Sequence, residues 1–568
     1  MSLDTLVFAC ALAAILLGVG FRFVQLGTPL FWQDEAYTAL RVTGHLENDY
    51  LHIFDGRIHS ADEVRVFETL DRSRGSAAVV RALAAEDPHH SPLFYVLDRV
   101  WIGAFGTSPA GFRGLSAVSG VLGIGLTFAL GTALLRSRVG GAVTAALFAL
   151  APIFVLYSRQ AREYALFVDA LALATIALVH AVRVPSWKTW LLYAATVALG
   201  LYVDPIFAVV MGAHGITAAL LARPRFQGIA PWLAASAGGA ACFLPWALNA
   251  YHSSSNIEGQ LDWGRSAYPP LFFATKWAFN IGALAFDAEF RTLALTPFAI
   301  LVVCAVGAAA WFFIALGGRE IVAVVVPLAA TTVVVFVGRD LLLNSHFSTI
   351  LRYLTPLWFG LILMCGAVVT RGLRAPRFRV LAVGLWLAAL GAGTASALAR
   401  GGAENWWDNN DQIAFQSMAR AIDRTARPLV ITQYRPHVPL VMARYLRADA
   451  EFLTFGAKIP PVPPGRYAFL VAPSRDIREA LAAQTRGTYR VVNVSPDATT
   501  IIRGFHKNLD RAKPELLRGD APVFVPENAL WALVPIPQLK CGSSRRSEPE
   551  RARDSACSPT AITLKSSR

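Results

Sequence analysis

Residues 157–182 read YSRQAREYALFVDALALATIALVHAV. From residue 164 on, the stretch is apolar enough to form a helix that crosses a ~30 Å hydrocarbon core. Its first part packs two arginines, a glutamate and two tyrosines into the approach. Worked outward, the same kind of apolar run recurs at 6–24, 112–135, 139–156, 164–182, 189–203, 206–221, 230–249, 293–316, 321–337, 350–370 and 380–398. That reads as an all-α polytopic membrane protein with about eleven spans, or up to thirteen if two further apolar stretches cross.

Composition agrees. The chain has 568 residues, 55% hydrophobic and 16% charged, against about one-quarter charged in ordinary globular proteins. A soluble enzyme, a disordered chain and a fibrous repeat are excluded. The net charge of +14 comes from 52 basic and 38 acidic residues. Many basic residues sit in short loops between apolar runs, and no basic stripe with interleaved aromatics accompanies them, so nucleic acid is not an expected partner. Cys10, Cys242, Cys304 and Cys365 lie in apolar runs, Cys541 and Cys557 near the end, without metal-type spacing. The first run lacks a basic flank and is followed by many others, so it reads as an uncleaved first helix.

Arg136 and Arg138, Arg183 and Lys188, Arg223 and Arg225, Arg319, and Arg371, Arg374, Arg377 and Arg379 all fall in alternate loops. A cytoplasmic excess of Lys and Arg then places the N-terminus inside and the segment after Arg400 outside. The stretches 92–105 and 271–286 carry Asp98, Arg99 and Lys276 and read as interfacial or re-entrant helices on the outer face. The expected organisation is a membrane domain over 1–398 with a large outer loop at 25–111, an extracytoplasmic α/β domain over 399–540, and a disordered tail over 541–568. Within 399–540, strands are expected at 428–432, 467–471, 489–494 and 499–503, and helices at 411–425, 438–446 and 476–484.

Ionisable residues gather at the outer ends of spans. Asp34 and Glu35 lie among Phe31, Trp32 and Tyr37. They fit solvated acids in an aromatic belt or a catalytic base with a tuned pKa. Arg159 and Arg162 stand three apart, a spacing that lets one helical face present both. They fit interfacial snorkelling with Glu163 as partner, or an anion clamp, since guanidinium matches phosphate bidentately. The clamp accounts better for charge at this depth, which is costly unless paired or used. Arg352 and Tyr353 open the tenth span on the same side. His89 and His90 precede Ser91-Pro92-Leu93-Phe94-Tyr95; a histidine pair without set ligand spacing is weak evidence for metal.

In order and spacing, Asp34-Glu35, the His-Ser-Pro-Leu-Phe-Tyr stretch, Ser158-Arg159-Gln160-Ala161-Arg162-Glu163-Tyr164 and Arg352-Tyr353 resemble GT-C fold glycosyltransferases, in the branch of protein O-mannosyltransferases and the lipid A aminoarabinose transferase. The resemblance implies a polyprenyl-phosphate sugar as donor, membrane lipid around it, and an envelope acceptor (lipid, glycan or protein) at the outer face of a bacterial inner membrane. It implies Asp34 as the base, Glu35 in support, and Arg159, Arg162, Tyr164, Arg352 and Tyr353 around the donor phosphate. His90 would meet substrate or a metal, and a divalent cation stays open as cofactor. The chemistry fits: phosphate is a good leaving group, so charge stabilisation and one base suffice for an inverting displacement. A lipid or sugar-lipid flippase is the rival reading, though it would hold polar groups near the midplane. A non-catalytic scaffold would leave the clusters unexplained.

Overall fold

The computed structural model describes residues 2–222, 228–254, 257, 259, 261, 264–265, 268–286, 296–316, 318–403, 414–456, 458–494 and 530–536. The expected strand at 499–503, the start of the helix at 411 and the tail from 541 lie outside the described residues. Each expected span meets a helix. Among the described residues eight helices are long and apolar enough to cross a membrane, and Arg138–Leu150 and Phe207–Leu221 are shorter apolar helices. Trp187–Val203, with 17 residues, covers the remaining span.

One expected span is broken. Residues 139–156 form two helices, Arg138–Leu150 and Pro152–Tyr157. Pro152 offers no N–H, and its ring crowds the carbonyl four residues back. The Ala149 carbonyl at the break accepts from Nη1 of buried Arg22 in the helix Leu3–Phe23, 2.8 Å away. The two helices pack closely there: a Cβ on Gly18 would stand 2.5 Å from the Ala149 carbonyl oxygen, the close backbone approach that small residues permit in membranes.

Pro92–Phe105 and Pro270–Gly282 are helices of 14 and 13 residues. At 1.5 Å per residue they reach only ~20 Å, less than a ~30 Å hydrocarbon core. The Arg-rich loops converge at one end. Glu320 accepts from Arg136 at 3.1 Å and from Arg183 at 2.6 Å, and Arg319 donates to the Leu220 carbonyl at 2.6 Å.

The other end carries a sheet that has six strands among the described residues, in the order β1-β3-β2-β4-β6-β5. Its strands are β1 Asp55–Ser60, β2 Leu429–Gln433, β3 Glu451–Phe455, β4 Ala468–Val471, β5 Tyr489–Asn493 and β6 Leu530–Pro535. β2 pairs in parallel with both β3 and β4, Val430 standing opposite Phe452 and Phe469. Leu429, Val430 and Ile431 are all buried, as a central parallel strand requires. The sheet is not confined to residues after 399. Its first edge, β1, comes from the first loop and pairs antiparallel with β3, Ile58 opposite Leu453 and Ser60 opposite Glu451. The loop and the C-terminal segment are one packed layer, sharing a hydrophobic core with the helices.

Candidate active site

Asp34 and Glu35 open the helix Gln33–Val42. Successive residues on a helix project about 100° apart, so the two carboxylates diverge. Glu35 turns inward and is fully buried. Its Oε1 accepts from Arg113 Nε at 2.7 Å and from the Ala161 N–H at 2.8 Å; its Oε2 accepts from Arg113 Nη2 at 2.6 Å and from the Trp32 N–H at 3.4 Å. Arg113, in the helix Pro109–Leu135, also donates to the carbonyls of Leu26, Pro29 and Leu30. The pair therefore pins the start of the loop to the second span and to the 158–163 turn. Glu35 thus holds the backbone at the start of the helix that carries Asp34.

Asp34 turns outward. Its Oδ2 stands 3.5 Å from Arg352 Nη1, with side chains 23% and 14% exposed. Its carbonyl accepts from Thr38 Oγ1 at 2.9 Å and lies 3.5 Å from Arg162 Nη1. Arg352 and Arg162, far apart in sequence, thus meet on one residue. Arg352 lies over the rings of Trp32 and Tyr353, at 5.9 and 5.6 Å. Tyr353 stacks on Phe336 at 6.0 Å. The turn presenting this arginine is organised by buried Asp340, whose carboxylate accepts from Ser345 Oγ at 2.6 Å and from the N–H groups of Phe347 and Ser348 at 2.9 and 2.7 Å.

Arg162 donates to Thr38 Oγ1 and to Glu163 Oε1, both at 3.2 Å, and lies over the Tyr164 ring at 5.7 Å. His90 bridges the same pair, Nδ1 to Glu163 Oε1 at 3.1 Å and Nε2 to Arg162 at 3.3 Å. Burial alone would raise the Glu163 carboxyl, but Arg162 and His90 outweigh it and hold it down at about 2. Burial opposes the Arg162 charge too, yet Glu163 above all keeps it firmly protonated. Nearby Asp204 lies between the helices Trp187–Val203 and Phe207–Leu221 and caps Ile206 at 2.8 Å. Burial, then the Glu163 charge, push it up to about 7.

Arg159 is not brought to this cluster. The 158–163 segment is a turn, so the helical spacing that would align it with Arg162 does not apply. Its guanidinium donates to the carbonyls of Phe21 and Val24 at 2.6 Å each, and to Gln25 and Gly401 at 3.3 and 3.2 Å. It caps the end of the first helix, where burial, then the Arg113 charge, lower it to about 10. Among the described residues no group of three or more His, Cys, Asp or Glu could hold a metal ion. His90 is a poor cation ligand, since a guanidinium faces one of its nitrogens.

Sequence reasoning missed Arg113 and Asp204. Arg113 had a signal: a charge just inside an apolar run must be paired or used. Asp204 had only its place before Pro205 in a short loop.

Helices long and apolar enough to cross a membrane define a multi-pass membrane protein, and at their ends Arg352 faces the Asp34 carboxylate while Arg162 faces its carbonyl. Residues 89–248 match the family of dolichyl-phosphate-mannose-protein mannosyltransferases. That segment contains His90 and the Ser158–Tyr164 stretch and leaves Asp34 and Arg352 outside it; over its length it bears out the resemblance read from the motifs. No curated protein sequence matches. Among solved structures, the chain is similar to ArnT from Cupriavidus metallidurans bound to undecaprenyl phosphate (12% identity, TM-score 0.45, covering 86% of this chain and 95% of that one). It is also similar to the apo state (12% identity, TM-score 0.48, covering 87% and 96%).

Proposed function

We propose that this chain transfers a sugar from a polyprenyl-phosphate-linked donor to an envelope acceptor at the outer face of the membrane. The observation that carries the reading is the meeting of Arg352 and Arg162 on Asp34, 3.5 Å from each. The acceptor hydroxyl attacks the anomeric carbon while its proton passes to the Asp34 carboxylate. The bond from that carbon to the phosphate oxygen breaks, and polyprenyl phosphate leaves with the electron pair. Configuration inverts, because attack and departure lie on opposite faces. Arg352 and Arg162 stabilise the charge growing on the phosphate, with Tyr164 and Tyr353 as their ring supports. At 3.5 Å the Arg352 pair is looser than a tight charge-assisted bond of about 2.8 Å, so the guanidinium can turn to a phosphate. A flippase would need such groups around the midplane rather than at the helix ends.

Arg352 is the cleaner probe of the donor site, since Arg162 also compensates buried Glu163. A charge-assisted bond to phosphate is worth about 1.5–3 kcal/mol. Arg352→Ala should weaken polyprenyl phosphate binding about tenfold to hundredfold, with thermal stability unchanged. Arg352→Lys should recover only part, because the fork geometry is lost. Unchanged binding in the alanine variant would remove Arg352 from the donor site.

The orientation follows from the same reading. A cysteine at Ala426 should react with an impermeant thiol reagent from the outside, and one at Ala375 only after the membrane is opened. The reverse pattern would place Asp34 on the wrong side for an envelope acceptor.

A further inference from the structure

We infer that the C-terminal segment is a working part of the active site, with Tyr445 as a positioning residue that fixes Asp34. The inference rests on the base assignment just proposed and gives the segment a role that assignment does not require. The Tyr445 hydroxyl accepts from the Phe31 N–H at 2.6 Å. Phe31 directly precedes Trp32, the N-cap of the helix that opens with Gln33 and Asp34. Two more ties flank this bond. Arg444 lies 4.2 Å over the Phe31 ring and is itself held by Glu68 at 2.8 Å and the Thr107 carbonyl at 3.1 Å. Gln416 donates to the Thr28 carbonyl at 3.0 Å. Residues 28–31 are therefore gripped by side chains that arrive from some four hundred positions along the chain.

The grip is anchored. His437–Ala443, just before these residues, is buried along its length, and Tyr50 donates to the Pro436 carbonyl at 2.8 Å. Arg65 donates to the carbonyls of Ala443 and Leu446. The β1–β3 pairing holds the loop and the segment in register beyond. Glu35 and Arg113 brace the helix start through its first turn, and Tyr445, close enough to feel both charges, braces it through Phe31. Asp34 follows Phe31 by three residues, at the start of the helix these contacts hold, with its side chain partly exposed. A backbone N–H left without its partner loosens the entry angle of that helix, and a shift of about 1 Å in a reacting group can cost a hundredfold in rate.

The test uses the full chain. Tyr445→Phe keeps the ring and removes the hydroxyl. In native membrane vesicles, release of polyprenyl phosphate from the membrane's own polyprenyl-phosphate sugars should fall about tenfold, the scale of one neutral hydrogen bond. Polyprenyl phosphate should bind the purified variant within about twofold of wild type, because the arginines are untouched. In an Asp34→Asn background the same change should cost nothing further, since Tyr445 acts only through Asp34. Gln416→Ala should show the same split more weakly. Full release by folded Tyr445→Phe would overturn the inference, as would a loss that persists beside Asp34→Asn, or one matched by weakened binding. Asp34→Asn at full speed would instead sink the base assignment, and this inference with it. Slow Asp34→Asn beside full-speed Tyr445→Phe would sink only the inference.

Discussion

Asp34→Asn is expected to slow sugar transfer by about 10²–10⁴-fold, the usual contribution of a positioned base, while polyprenyl phosphate binding stays close to wild type. Asparagine keeps the shape of the side chain and an oxygen that can face Arg352 but cannot take up a proton. The substitution is also mild for the fold. Asp34 is partly exposed, and its ion pair with Arg352 is long at 3.5 Å. Loss of rate without loss of folded protein is therefore the signature to look for. It is measured as polyprenyl phosphate released in vesicles beside a thermal unfolding scan. Near-normal release with donor and acceptor in excess would end the base assignment.

Glu35→Gln is expected to act differently although it is the next residue. The sequence alone suggests a second carboxylate that assists the first, so that its amide should merely slow the enzyme. The structure shows a fully buried carboxylate taking four hydrogen bonds, two from Arg113. Removing its charge leaves the Arg113 guanidinium buried without a counter-charge, a loss of about 3–5 kcal/mol. That is a large share of the roughly 5–15 kcal/mol that holds a domain together. The amide must also point an N–H₂ at one of the groups that now donate to it. The expected result is a lower melting temperature and a smaller folded yield in detergent, with activity falling in step. A Glu35→Gln protein that melts with wild type yet transfers slowly would return Glu35 to a direct catalytic part.

The two carboxylates show where reading the chain stops. Both were visible as candidates, because paired acids among aromatics at the end of a span are unusual. Which one faces the open side depends on the helix that begins at Gln33, and on Arg113 waiting behind it. The arginines divide similarly. Arg162 and Arg352 were legible as costly charges at helix ends, and the structure joins them on Asp34. Arg159 carried the same signal, but the 158–163 segment turns instead of continuing as a helix, and its guanidinium caps the first helix. No local pattern separates an arginine that serves a ligand from one that closes a helix end.

The apolar runs determined the membrane-spanning architecture by themselves. Burying unpaired backbone in lipid is so costly that a run of that length and hydropathy has one stable form, a helix, and Pro152 alone marks its break. The short stretches 92–105 and 271–286 likewise form helices, over Pro92–Phe105 and Pro270–Gly282. The strand at 55–60 was not. Its sequence, DGRIHS, has a single strand-forming residue, Ile58, and gains its form only from the edge of β3. Strand pairing is a property of two partners, and here nearly four hundred residues separate them. The same holds for Tyr445 behind Phe31. Contacts within a helix are written in local spacing, whereas contacts between the first loop and the C-terminal segment exist only once the bundle has brought both to the same end.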